Sequence, residues 1–330
     1  MSSSSRPDRP GAPHLDAGDL DALEHLAEEG PPGEVPREGA LGEAGTGRRR
    51  GWVTTAWAAP GTLWLLFFLL APVVMIVLVS FWTPSLSGFE KTFTLDNYRT
   101  LFGSDVYWDQ LKDSFFVALI VTGACLLLGF PIAYYLSFYV KSVRNQVGLF
   151  LVLLAPFLTS YLIRAVAWQY PLMGRTGAVN QVLEKIGLID EPLDVLGFSR
   201  LSVTLALIQL YILFMITPLF FMLGQVDRSS LEAARDLGAN FWKSFRSVTL
   251  PQAMPGIAIG AIFVFVLTMG DYGTTRIVGG GRVASVGTIV QNYVVGIQFP
   301  IAAASAVFLV LAMVLAVFLL LRFSKLREEL

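Results

Sequence analysis

Cysteine, histidine and charge are all scarce in this chain of 330 residues. It has one cysteine and two histidines, and only 15% of its residues are Asp, Glu, Lys or Arg. The lone Cys125 excludes a disulfide within the chain and a cysteine-based metal site. Lying inside an apolar run, it is expected to be a packing residue. His14 and His25 both fall in a polar N-terminal stretch, which excludes a histidine relay within a membrane. The charges nearly cancel, at −1 net, so nothing in the balance points to nucleic acid. No His, Cys or carboxylate cluster stands at a span end, which argues against a membrane-bound enzyme and against a metal site.

What is abundant is apolar. Hydrophobic residues make up 54% of the chain, and the mean hydropathy is +0.61. They gather in long uncharged runs instead of amphipathic spacing, so lipid is the solvent for most of the chain. Six runs, Trp57–Trp82, Ser114–Val140, Val147–Trp168, Leu201–Val226, Gln252–Gly270 and Phe299–Leu321, each approach the ~20 residues a spanning helix needs. Pro60, Pro72, Pro131, Pro156, Pro218 and Pro255 lie within or near them and predict kinks. Residues Met1 to about Arg50 are rich in Ser, Pro, Gly, Glu and Asp and read as a disordered tail, with Leu15 to Glu29 able to form a transient helix. The first basic cluster begins only at Arg48, so the first apolar run is expected to be an uncleaved span and not a signal peptide.

Orientation follows from basic residues in short loops. One side collects Arg48–Arg50, Lys141 and Arg144, then Arg228, Arg235, Lys243 and Arg246, and finally Arg322, Lys325 and Arg327. The other side holds Lys91, Arg99, Lys112, Lys185 and Arg200, diluted among acidic residues. Both termini are therefore expected in the cytoplasm, in a multi-pass protein of the cytoplasmic (inner) membrane. Tryptophans 52, 57, 82, 108 and 168 fall near span ends, as interfacial residues do. In the outer loop after the third span, Val179, Val182, Leu183 and Ile186 predict a short interfacial helix that Gly187 ends.

The loop from Asp227 to Pro251, between the fourth and fifth runs, is long beside the tight turn at Lys141–Gln146. Ser229 and Glu232 fit a capping box, a short helix through Ala233, Ala234 and Leu237 would close at Gly238, and a second amphipathic piece carries Phe241, Trp242, Phe245 and Val248. Pro251 is positioned to open the fifth helix. Two readings fit: a surface that docks in a partner's groove, or aromatic residues resting in the headgroup layer.

The spacing Glu232-Ala-Ala, three residues, Gly238, nine residues, Val248-Thr-Leu-Pro251 resembles the EAA loop of binding-protein-dependent ABC importer permeases. It departs from that pattern only in Val248 for the usual isoleucine. Leu162-Ile-Arg-Ala-Val-Ala-Trp168, Gly177-Ala-Val-Asn180, Gly187-Leu-Ile-Asp-Glu-Pro192 and Gly270-Asp-Tyr272 running into Gly279-Gly280 are similar to the spermidine/putrescine branch. The resemblance implies an all-α membrane protein, a six-helix type I ABC importer bundle over residues 51–330 with cytoplasmic coupling helices. It implies that Glu232, Ala233, Ala234, Gly238, Leu250 and Pro251 contact an ABC ATPase. A second permease subunit and an external solute-binding protein are the other implied partners. The chain lacks a G-x4-G-K-[ST] loop, so it is expected to hold no cofactor and not to be an enzyme, with ATP and magnesium used by the partner.

Along the path, Arg164 and Asp271 are the ionisable groups that stand out, as substrate contacts, snorkelling residues or members of an ion pair. Trp168 and Tyr272 suit cation–π contact with a polyamine or an interfacial position. Gly279-Gly-Gly281 is expected to be an outer turn. A self-contained secondary transporter is the alternative from another class, and it would carry inverted repeats and several buried ionisable groups. Opines, thiamine, sulfate and ferric iron are the alternative cargoes.

Overall fold

The computed structural model describes residues 46–85, 88–172 and 174–325. The expected tail helix at Leu15–Glu29 and both histidines lie outside the described residues. The described residues fall into two units, divided between Phe68 and Leu69. The first helix, α1 (Thr46–Val79), begins within the stretch assigned to the tail. Every large hydrophobic side chain on it from Leu63 to Leu78 is exposed. No polar face accompanies them, which is the pattern of a helix dissolved in lipid.

An antiparallel hairpin that the apolar pattern does not foretell follows, β1 (Trp82–Ser85) with β2 (Gly88–Phe93). Then come α2 (Asp96–Phe102), α3 (Asp105–Tyr134) and α4 (Val143–Leu154). Ser104 accepts the Tyr107 N–H and starts α3 nine residues before the apolar run at Ser114, which brings Asp105, Asp109, Lys112 and Asp113 onto the helix. A wide turn, Tyr135–Tyr139, extends α3.

The third expected span is not one helix. Pro156 has no N–H to return to the ladder, so α4 tightens through Ala155–Leu158 and stops at Thr159, whose backbone is extended. The next helix, α5 (Tyr161–Gln169), leaves at 82°. Among the described residues, five helices are thus long and apolar enough to cross a membrane, and six if this bent pair is one span.

Beyond it lie α6 (Ala178–Lys185), α7 (Arg200–Gly224), α8 (Arg228–Asp236), α9 (Phe241–Ser244), α10 (Leu250–Met269), α11 (Gly273–Val278), α12 (Val286–Val295) and α13 (Phe299–Lys325). Helix α6 is the expected interfacial helix. It ends at Gly187, φ +70°, with the Leu188 N–H on the Leu183 carbonyl at 3.0 Å. The Gly279–Gly281 run forms the turn between α11 and α12.

The core is formed by α3, α7 and α10, with Val121, Cys125, Leu207, Leu210, Met215, Leu219 and Val264 buried together. Cys125 is a buried packing residue whose thiol donates to the Ile208 carbonyl at 3.6 Å. Gly256 and Gly260, four apart on α10, let it lie against α7. A Cβ on Gly260 would come within 2.7 Å of the Met215 sulfur, and one on Gly256 within 2.9 Å of the Pro218 carbonyl. A second cluster joins Tyr107, Phe265, Met269 and Ala304.

Candidate functional site

The two ends of α10 carry the polar constructions. At the end that follows α7, Asp227 is the residue that caps α8. Its carboxylate accepts the Ser229 N–H at 2.9 Å and the Ser229 hydroxyl at 2.6 Å, and these bonds hold its pKa below the usual carboxylate value. This corrects the expected Ser229–Glu232 capping box. With an aspartate two residues upstream the helix starts earlier, Ser229 becomes helical, and the Glu232 side chain stays exposed with no ion-pair partner among the described residues.

The other end of α8 behaves as expected. Gly238 takes φ +79°, its N–H meets the Arg235 carbonyl at 2.8 Å, and the Ala239 N–H meets that of Ala234 at 3.0 Å. Nothing lies within 4 Å of a Cβ built on Gly238, so the glycine serves the backbone angle and not a close contact. Asn240 then caps α9 through the Lys243 N–H at 2.9 Å.

Pro251 stands in the first turn of α10, as expected of a proline that opens a helix, but no gap precedes it. The helical run is continuous from Phe241 to Met269 and passes through a wide turn at Phe245–Thr249, where the Leu250 N–H reaches back to the Phe245 carbonyl. Widening the ladder there accommodates a residue with no N–H to give. Leu250 and Pro251 therefore begin α10 as part of one run with the loop's second helix.

The loop presents its side chains outward but is firmly backed. Leu237 is 87% exposed and Trp242 72%, while Ala233 is exposed beside Glu232. On the inner side, the Phe245 ring meets Phe130 at 5.6 Å and Tyr134 at 6.3 Å. A cavity of about 280 Å³ separates α8 from the end of α3, lined by Tyr134, Phe138, Tyr139, Leu231 and Arg235. The loop thus combines a small-residue helix, an exposed carboxylate and exposed aromatic rings, braced from behind by α3.

At the far end of α10 stands Asp271, 5% exposed. It neither snorkels nor forms an ion pair: no salt bridge includes it among the described residues. Hydroxyls and a backbone N–H surround it instead. Tyr161 donates to Oδ2, as do Tyr211 at 2.9 Å and Thr274 at 3.0 Å, and the Thr275 N–H meets Oδ1 at 3.2 Å. Tyr161 also accepts the Thr274 N–H at 2.9 Å. The 82° break of the third span is what brings Tyr161 here, at the first position of α5. Gly273 leaves the room, since a Cβ there would stand 3.0 Å from the Tyr161 hydroxyl.

The other pathway candidates are spread around this cluster. Arg164 lies over the Phe157 ring at 4.2 Å, with Nε and Nη1 buried and without a hydrogen-bond partner. Trp168 donates to Gln209 at 2.9 Å, tying α5 to α7, and Tyr272 remains 43% exposed. The structure thus brings Arg164 and Trp168 together on α5, with Asp271 below its first residue and Tyr272 outside the cluster. Tyr161, Tyr211, Thr274 and Gln209 were missed from sequence. The available signal was that Gln209 and Tyr211 put hydrogen-bonding groups in the middle of an apolar run.

No protein-family model matches the chain. It is 35% identical over 268 residues to the spermidine/putrescine transport system permease protein PotB of Haemophilus influenzae, covering 80% of this chain and 91% of that one. Among solved structures it is similar to a chain of a bacterial ABC transporter involved in the import of the acidic polysaccharide alginate. There the TM-score is 0.60 at 22% identity, over 85% of this chain and 97% of that one. A chain of a bacterial alginate ABC transporter in complex with an alginate pentasaccharide-bound periplasmic protein gives the same TM-score, 0.60, at 21% identity, over 85% and 96%.

Proposed function

This chain belongs to the ABC transporter permease family that includes the spermidine/putrescine permeases, and from that membership we propose that it is the membrane-spanning permease subunit of an ATP-driven polyamine importer. The observation that carries this reading is the 35% identity to PotB across 80% of the chain, which takes in both α5 and the loop from Asp227 to Pro251.

The chain forms one half of a translocation path, and a second six-span permease supplies the other. Glu232, Ala233, Ala234 and Gly238 meet the nucleotide-binding subunit. Leu250 and Pro251 join that contact rigidly to α10, because the helical run from Phe241 has no interruption through which motion would dissipate. ATP and magnesium are bound and used by that subunit. A solute-binding protein delivers cargo on the outer side, as a periplasmic protein is seated on the alginate transporter of similar fold. Both termini and the Asp227–Pro251 loop face the cytoplasm, on the strength of the basic residues in the short loops. Within the path, Trp168 on α5 offers a ring to an ammonium group. Arg164 and Tyr272 line the approach, and Asp271 holds α5 at its angle.

The test is uptake. Disrupting the gene in its host should abolish entry of labelled spermidine and putrescine and leave thiamine and sulfate entry unchanged. Loss of one of the latter with polyamine entry intact overturns the polyamine assignment. Solute movement by the purified chain in liposomes without ATP overturns the permease-subunit assignment itself.

A further inference from the structure

The short connection between α3 and α4 holds a groove that transport leaves unused. It is an open cavity of about 630 Å³, lined by Tyr135, Tyr139, Lys141, Arg144, Asn145 and Leu149 among others. Two cations and no carboxylate line it. Both cations are exposed, and neither has an ion-pair partner among the described residues. Like charges confined to one groove repel, and an anion between them removes the repulsion.

Beside the cations the groove is lined by phenolic rings, Asn145 and Leu149. The Tyr135 and Tyr139 rings lie 5.8 Å apart and 12° from parallel, both more than half exposed, on the wide turn that ends α3. Beyond them Val147, Leu149, Leu151 and Val152 on α4 are exposed. Cations, phenolic rings and aliphatic side chains gathered at one span end match in kind the headgroup, interface and acyl layers of a phospholipid.

We propose that this groove is a binding site for an anionic phospholipid, its phosphate between Lys141 and Arg144 and its acyl chains along α4. The site does not depend on the identity of the cargo or of the ATPase. It does touch the docking loop. Tyr139 lines both this groove and the cavity behind α8, so a seated headgroup braces the wall against which α8 rests.

Native mass spectrometry of the full chain, titrated with phosphatidylglycerol or with phosphatidylcholine of the same acyl chains, tests this. Wild type should retain phosphatidylglycerol preferentially. The Lys141→Gln/Arg144→Gln chain should bind it roughly thirty-fold more weakly, from the worth of two basic groups at a lipid surface. Lys112→Gln, at the opposite end of α3, should leave binding unchanged. The charge-conserving Lys141→Arg/Arg144→Lys chain should also keep it, which separates a lost site from lost topology. If the double glutamine chain fails to fold, each single glutamine variant should show roughly a five-fold loss. Equal retention of both lipids by wild type, or undiminished phosphatidylglycerol binding by folded glutamine variants, overturns the proposal. So does displacement of phosphatidylglycerol by millimolar inorganic phosphate, which would make this a site for a free anion.

Discussion

The two ends of α10 are finished in opposite ways. At one end, Asp227, Gly238 and Asn240 shape the loop through bonds that reach two to five residues along the chain, and the side chains they display stay exposed. At the other, Asp271 receives hydrogen bonds from residues 60 and 110 positions away and is buried. A surface proposed to meet another protein has to be shaped by its own sequence and left uncovered. A knot that joins a half-span, a full span and a short helix has to be closed within the chain. Damage should therefore separate cleanly: at the loop it should remove coupling and spare the fold, and at Asp271 it should weaken the fold first.

The largest effect is expected at the loop. Gly238→Glu forces a side chain onto a φ of +79° and adds charge to the proposed docking face, while Glu232→Lys reverses the charge of an exposed carboxylate on α8. Each should bring polyamine uptake to background, with the amount of chain in the membrane, measured by immunoblot, close to wild type. Normal uptake by both would remove the loop from the mechanism.

Next in size is Asp271→Ala, which leaves two tyrosine and two threonine donors without their acceptor. It should cost about 4 kcal/mol, since each unsatisfied buried group costs about 1–3 kcal/mol. Thermal melting in detergent checks this, and uptake should fall only as far as folded chain does. A variant that melts like wild type yet fails to transport would turn the knot into a substrate site. Tyr211→Phe removes one of those donors and keeps the ring, so about 1.5 kcal/mol should be lost by the same measurement.

How much of this was legible in the sequence follows the same division. Long uncharged runs identify the spans because lipid accepts no other pattern. Gly238 could be recognised because a left-handed helix end needs glycine, and the Glu-Ala-Ala spacing is contiguous. Asp271 was visible as an ionisable group near a span end, but its partners were not, because nothing local ties it to Tyr161 or Tyr211. The third span illustrates the limit. Pro156 announces a kink, but the 82° angle depends on Tyr161 finding Thr274 and Asp271 across the fold. The hairpin at Trp82–Phe93 escaped notice because its strands are short and the first contains Pro84, a residue that argues against a strand.

The smallest effect expected sharpens the loop side of the comparison. Asp227 is exposed, and only its bonds to Ser229 lower its pKa. A carboxyl whose folded pKa lies below its unfolded value stabilises the helix fully above the unfolded pKa, about 3.9, and loses that contribution as pH falls through the folded one. Amide hydrogen exchange across Arg228–Asp236, corrected for its intrinsic pH dependence, should therefore keep the same protection from pH 7 down to about 5 and show fraying only below about pH 4. Asp227→Asn should erase this acid step while retaining part of the cap, since asparagine also accepts the Ser229 N–H. If the acid step survives in Asp227→Asn, some other carboxylate governs the loop. Glu232, exposed on the same helix, would then be the group to change next.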